Sequence, residues 1–156
     1  MRHETFSNER TREIVSAHSG LEGPLMPILH AVRDAFGHVP EAAVPVIAEE
    51  LNLSRAEVHG VVTFYHDFNR KPHGRHVVKF CRAEACQSMG CDDLIAHAEK
   101  ALGVEMGETS ADGRVTLEPI FCLGLCACAP SAMVDGEIVG RLDKAAVDLI
   151  VAEVDR

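Results

Sequence analysis

Apolar residues recur along this chain in two rhythms, one in each half. In "GPLMPILHAVRDAFG" Leu25, Ile28, Val32 and Phe36 stand three or four apart, the spacing that lines one face of a helix. Pro24 stands near the start of that segment and Gly37 offers a C-terminal stop, as helix ends favour. Residues 9–18 predict a helix before it, and "VPEAAVPVIAEELN" predicts another after it. Pro45 lies inside the latter and removes a backbone donor, so that helix is expected to start late or bend. "LSRAEVHGVVTFYHDF" opens with Ser54 and has Glu57 three residues on, a capping-box signature for a helix from Arg55.

"NRKPHGRH", residues 69–76, is a short polar stretch with Pro and Gly. It predicts a boundary between a helical region over 1–70 and a second domain over 75–156. Past it the rhythm changes. "HVVKF" (76–80) and "RVTLEPIF" (114–121) read as strands. Between them "DDLIAHAEKALG" (92–103) reads as a helix, with Asp92 and Asp93 at its positive end and Gly103 at its stop. "SAMVDGEIVG" (131–140) sets Asp135-Gly136 between apolar residues, a strong hairpin signal. "DKAAVDLIVAEV" (143–154) reads as a last helix with Asp143 as its N-cap. The order β-α-β-β-β-α describes a crossover unit, a hairpin and a closing helix. The fold class is α/β, with the second domain fitting a small thioredoxin-like layer.

Composition narrows the partners. The formal net charge of −9 argues against an electrostatic nucleic-acid footprint and against an anionic membrane surface. No apolar run approaches the ~20 residues that span a bilayer. The opening "MRHETFSNERTRE" is polar throughout and has no apolar core of a secretory leader. A cytoplasmic location is expected.

All six cysteines, Cys81, Cys86, Cys91, Cys122, Cys126 and Cys128, lie in the second region. In a reducing compartment such a set reads as metal ligands or redox thiols before disulfides. Cys81 and Cys86 form a C-x4-C at the end of the first strand; Cys122 and Cys126 form a C-x3-C just after the second. Parallel strands joined by a crossover end on the same side of their sheet, which would bring the two pairs together as one four-thiolate site. An iron–sulfur cluster takes four thiolates, and two pairs suit a [2Fe–2S] centre. Gly124, inside the second pair, lets backbone N–H groups turn toward a sulfur. Structural zinc is the competing reading, since four-thiolate zinc also comes from pairs. Thiol–disulfide chemistry is a third, although its usual C-x-x-C is absent from the chain. Cys91 and Cys128 read as small buried hydrophobes, with Cys128 an alternative to Cys126 as ligand.

"GHVPEAAVPVIAEELNLSRAEVHGVVTFYHDF", the C-x4-C, "CLGLCACAP" and "VDGEIVGRL" together resemble the thioredoxin-like [2Fe–2S] ferredoxin family, from about residue 20 to residue 154. Its members include the E subunit of bacterial complex I and matching subunits of NAD-linked hydrogenases and formate dehydrogenases. The resemblance implies one [2Fe–2S] cluster held by Cys81, Cys86, Cys122 and Cys126, without requiring Cys91 or Cys128. It implies an N-terminal helical bundle that packs on a flavin- and NAD-binding subunit, and electron exchange with that subunit's FMN. "CRAEACQSMGC" looks most like the gamma subunit of molybdenum-containing, NAD-dependent formate dehydrogenases. Complex I members more often carry Gly-Thr where this chain has Glu84-Ala85. The reading is thus an oxidoreductase subunit that turns over no substrate itself. FMN, NAD and the molybdenum cofactor would sit on partner chains, including the catalytic subunit. The isolated chain is further expected to be able to pair with itself through its helical region.

Other residues carry less. His76 and His97 could stand in for cysteines on one iron, as in Rieske centres, but neither lies in a cysteine loop. Phe64, Tyr65 and Phe68 divide between core packing and a partner surface. Arg141, at the hairpin end, could offset cluster charge. Pro130 stands where thioredoxin-like folds often place a cis proline.

Overall fold

The helical-period half folds into four helices: α1 (Asn8–His18), α2 (Leu25–Phe36), α3 (Ala43–Glu50) and α4 (Arg55–Phe64). Of the stripe read from sequence, Ile28, Val32 and Phe36 are buried and Leu25 packs half-buried against them; with Leu29 they form a core with Ile14 and Val15 of α1, Val44 and Ile47 of α3, and Val58 and Val62 of α4. Pro45 is accommodated because α3 starts at Ala43, which puts the proline in the first turn, where backbone N–H groups have no intrahelical partner. At α4 the Ser54 hydroxyl accepts from Glu57 N–H while the Glu57 carboxylate accepts from Ser54 N–H at 2.8 Å, the reciprocal capping box.

The computed structural model describes residues 3–155, and its chain divides into two compact units, one ending at Pro72 and the other starting at His73. The second unit holds β1 (His76–Cys81), α5 (Glu84–Ser88), α6 (Cys91–Leu102), β2 (Val115–Ile120), β3 (Ser131–Val134), β4 (Glu137–Gly140) and α7 (Lys144–Val154). The sheet runs β2-β1-β3-β4. β1 and β2 are parallel, with His76 opposite Val115 and Cys81 opposite Ile120. β3 is antiparallel to both β1 and β4. Val78 and Phe80 of β1, Val115 and Leu117 of β2 and Ala132 of β3 share one core with Leu94, Ala98 and Leu102 of α6 and Val147, Ile150 and Val154 of α7. The β3–β4 turn is Asp135-Gly136, both at positive φ (50° and 94°), the type I′ geometry that matches strand twist. Asp135 also ties this turn to β1, its carboxylate accepting from Val77 N–H and from His76 Nδ1, each at 2.7 Å. The Ala129–Pro130 peptide before β3 is cis. Among the described residues no helix is long and apolar enough to cross a membrane.

α5 is the element that sequence patterning misses. Five residues are too few to show a 3.6-residue period, and it sits wholly within the C-x4-C loop and its exit.

Across β1 and β2 the half-buried Glu118 carboxylate accepts from His73 Nε2 at 2.8 Å and pairs with Lys79 Nζ at 3.0 Å. The His73 hydrogen bond first, and then Lys79, outweigh burial and hold the carboxyl down at about 2. A carboxyl depressed in the folded state stabilises the fold above its ordinary value near 4.5, and that contribution fades as pH falls toward 2. Glu118→Gln is expected to cost about 1–2 kcal/mol at pH 7, after allowance for solvent screening. It should also flatten the loss of stability between pH 4.5 and pH 2, as read by denaturant unfolding at a series of pH values.

Candidate metal centre

Each thiol is placed by the end of a secondary element. β1 alternates inward positions at Val78 and Phe80, and its last residue, Cys81, is buried where the strand runs out. The chain then turns into α5, whose third residue, Cys86, is directed inward and is also buried. Beyond β2 the segment 121–125 makes a loop with two residues at positive φ, Cys122 at 86° and Gly124 at 77°. For a residue with a side chain that region is sparsely populated and costs energy, so the loop holds Cys122 in a strained backbone state. Gly124 meets the same requirement without a Cβ, and its N–H donates to Cys122 Sγ at 3.3 Å. Cys126 opens a single 3₁₀ turn, Cys126–Cys128. That turn is anchored to β4: Arg141 N–H donates to the Cys128 carbonyl, and a Cβ at Gly140 would meet that carbonyl oxygen at 3.0 Å.

The two loops meet. Cys122 Sγ and Cys126 Sγ are 3.8 Å apart, the edge of a tetrahedron whose metal–thiolate bonds are about 2.3 Å. The Cys81 thiol is under the influence of the neighbouring Cys86 and of backbone N–H groups of Ala83, on its own loop, and of Cys122 and Leu123, on the other. Burial alone would raise the Cys81 thiol, but these donors outweigh it and hold the thiol below its ordinary value, which favours the thiolate that binds metal. Cys126 is shifted the other way. The adjacent Cys122 sulfur, by hydrogen bond and by charge, pushes the Cys126 thiol up, with burial and Cys86 adding to it. Two neighbouring thiolates repel unless a cation stands between them. Cys81 and Cys86 are buried while Cys122 and Cys126 are exposed, so the site has an inner and an outer pair. Among the described residues no group of three or more His, Cys, Asp or Glu side chains is drawn together closely enough to hold a metal ion; the sulfurs in contact are the outer two. Four thiolates in pairs, with backbone donors aimed at the inner and outer sulfurs, fit an anionic two-iron cluster.

The other two cysteines are placed differently. Cys91 is the buried first residue of α6, and desolvation, followed by the charge of Asp92 and then of Cys86, pushes its thiol up to about 11. Cys128 is half-buried at the end of the 3₁₀ turn. His76 is engaged with Asp135, and His97 Nε2 with Asp148 Oδ1 at 2.7 Å; each is a cross-element hydrogen bond away from the cysteine loops. Sequence reading could not foresee the positive φ of Cys122, which no residue type announces, or the buried Ser131, whose hydroxyl lies 3.6 Å from Cys86 Sγ.

Comparison with known proteins points the same way. The profile of the family described as thioredoxin-like [2Fe-2S] ferredoxin matches residues 11–155. The chain is 40% identical over 112 residues to the E subunit of NADH-quinone oxidoreductase from Pseudomonas aeruginosa, covering 72% of this chain and 68% of that one. It is 32% identical over 145 residues to the HndA subunit of the NADP-reducing hydrogenase from Solidesulfovibrio fructosivorans, covering 91% and 85%. Among solved structures it is similar to the NAD+-reducing [NiFe]-hydrogenase in the H2-reduced state, with a TM-score of 0.72 and 26% identity. That match covers 84% of this chain and 22% of the hydrogenase chain, so the similarity extends over about a fifth of the larger protein.

Gly124 provides a direct test of the loop. A Cβ there meets no atom within 4 Å, so Gly124→Ala is expected to act through its backbone conformation and cost about 1–2 kcal/mol. Denaturant midpoints of the two proteins measure it.

Proposed function

Because this chain belongs to the thioredoxin-like [2Fe–2S] ferredoxin family, we propose that Cys81, Cys86, Cys122 and Cys126 hold its cluster and that it is the electron-transfer subunit of an NAD-dependent formate dehydrogenase. The observation that carries the ligand set is the meeting of the two thiol loops at one end of the β1–β2 pair. When bound, a [2Fe–2S] cluster supplies one-electron chemistry, accepting and returning a single electron.

This chain's own residues do the rest. Cys81 and Cys86, in the core, keep water from the inner side. The N–H groups of Ala83, Cys122, Leu123 and Gly124 face sulfur and favour negative charge there. Cys122 and Cys126, on the surface, form the side at which a partner's redox group comes close. Phe121 and Met89, 73% and 62% exposed in the segments that flank the thiols, supply apolar area for such a contact. FMN and NAD belong on a partner subunit, and the molybdenum cofactor on the catalytic subunit. The helical region over 1–70 docks on the flavin-bearing partner, and residues 75–156 carry the cluster. The complex works in the cytoplasm, without contact to nucleic acid or membrane.

Formate dehydrogenase membership rests on the resemblance of "CRAEACQSMGC" to that enzyme's gamma subunits. The identity with an NADH-quinone oxidoreductase subunit favours a second reading, the equivalent subunit of such a complex or of an NAD-linked hydrogenase. Purifying the complex through a tag on this chain distinguishes them: formate-dependent NAD+ reduction is expected, whereas quinone-linked NADH oxidation or hydrogen uptake alone would select the second reading.

The ligand set has its own test. The purified chain is expected to hold about two irons and two sulfides and to give an S = 1/2 EPR signal after dithionite. Cys81→Ser, Cys86→Ser, Cys122→Ser and Cys126→Ser should each lose or alter the signal, while Cys91→Ser and Cys128→Ser keep it. An unchanged absorption and EPR spectrum in Cys126→Ser would remove that residue from the set.

A further inference from the structure

Ser131 opens β3, directly after the cis Ala129–Pro130 peptide, and is 2% exposed. Its place in the sheet is opposite Gly140 of β4, and the main chain supplies that pairing without help from the side chain. Cys86, also 2% exposed, comes from α5. The Ser131 Oγ and Cys86 Sγ atoms are 3.6 Å apart, within hydrogen-bond reach for sulfur. Among the described residues this thiol is the hydrogen-bond partner of the Ser131 hydroxyl. With a free thiol either atom can be the donor. A sulfur bound to iron is a thiolate and has no proton to give, so in the loaded protein the hydroxyl is the donor.

We infer that Ser131 is a positioning residue that raises the reduction potential of the cluster by donating its hydroxyl hydrogen to the Cys86 thiolate. The inference rests on Cys86 being a ligand, as proposed above. Reduction adds one electron from an external reductant to the bound centre, with no bond made or broken in the side chains. The added negative charge is shared by the ligand sulfurs, and a hydrogen bond to an anionic acceptor strengthens as that acceptor gains charge. The donor therefore stabilises the reduced state more than the oxidised one. The Ser131 proton stays on its oxygen throughout. Both atoms are removed from water, so no solvent molecule competes for the sulfur and the local dielectric is low. On the outer side Cys122 receives the Gly124 N–H in an exposed loop, where water screens the same kind of bond. The inner pair is thus the side at which one side-chain donor shifts potential most.

The experiment is a dithionite titration of the full chain loaded with iron and sulfide, followed by EPR, on wild type and three variants. Ser131→Ala deletes the hydroxyl. Ser131→Thr keeps it, and Ser131→Val matches threonine in shape without it. Ala and Val are expected to make reduction less favourable by roughly tenfold, about 59 mV for one electron, with Thr close to wild type. Equal potentials in Thr and Val, with the cluster intact, would overturn the inference, and this comparison decides even if Ala alone fails to assemble. A loaded Cys86→Ser protein with the wild-type spectrum and potential would instead remove the ligand assignment on which it rests.

Discussion

The parallel pairing of β1 with β2 determines where the thiol chemistry occurs. Cys81 stands opposite Ile120, so the loop after each strand leaves the sheet at the same end. A crossover connection is what makes such pairing possible, and α6 supplies it, packing its Leu94, Ala98 and Leu102 face into the same core as Val78, Phe80 and Leu117. Cysteine pairs thirty-odd residues apart in sequence are thereby carried on loops at the same end of the sheet. If that register slipped by one residue, the inward and outward faces of β1 would exchange: Val78 and Phe80 would leave the core, and Cys81 would no longer end level with Ile120.

The site built on that pairing is asymmetric, and the asymmetry has electrostatic consequences. Burial opposes thiolate at Cys81, yet backbone donors from both loops reverse the balance. At the exposed pair the dominant effect is the neighbouring sulfur itself, which pushes Cys126 upward. One half of the site is prepared for negative charge by fixed dipoles, and the other is disposed to share a cation between two sulfurs. Both halves answer to the same requirement, a bound centre that carries net negative charge.

The long, periodic elements were legible in the sequence because each carries its own local signal. The α2 stripe, the Ser54–Glu57 capping box, the Asp135-Gly136 turn and the Asp143 cap all reappear in the fold. The parallel β1–β2 pair, which starts both cysteine loops at one end of the sheet, followed from topology, since strand ends are easier to place than loops. What escaped were features set by tertiary context. α5 is too short to have a period, the Cys122 backbone adopts a conformation that cysteine does not advertise, and Ser131 looks like any strand serine until the fold buries it against Cys86.

The six cysteines show how context divides chemically identical side chains. Cys91 is as buried as Cys81, but where Cys81 meets backbone donors from two loops, Cys91 heads α6 beside Asp92 and its thiol is pushed up to about 11. Burial without compensating donors keeps a thiol protonated and inert, and burial with them favours the thiolate. Cys128 is separated from Cys126 by a single residue, yet its carbonyl is pinned by the Arg141 N–H, and Gly140 lies so close that a side chain there would crowd it. That anchoring sets which residue of the 3₁₀ turn sits beside Cys122: Cys126, at 3.8 Å. In each case the discriminating interaction is made by main-chain groups, whose positions depend on the sheet and its loops rather than on the cysteine itself.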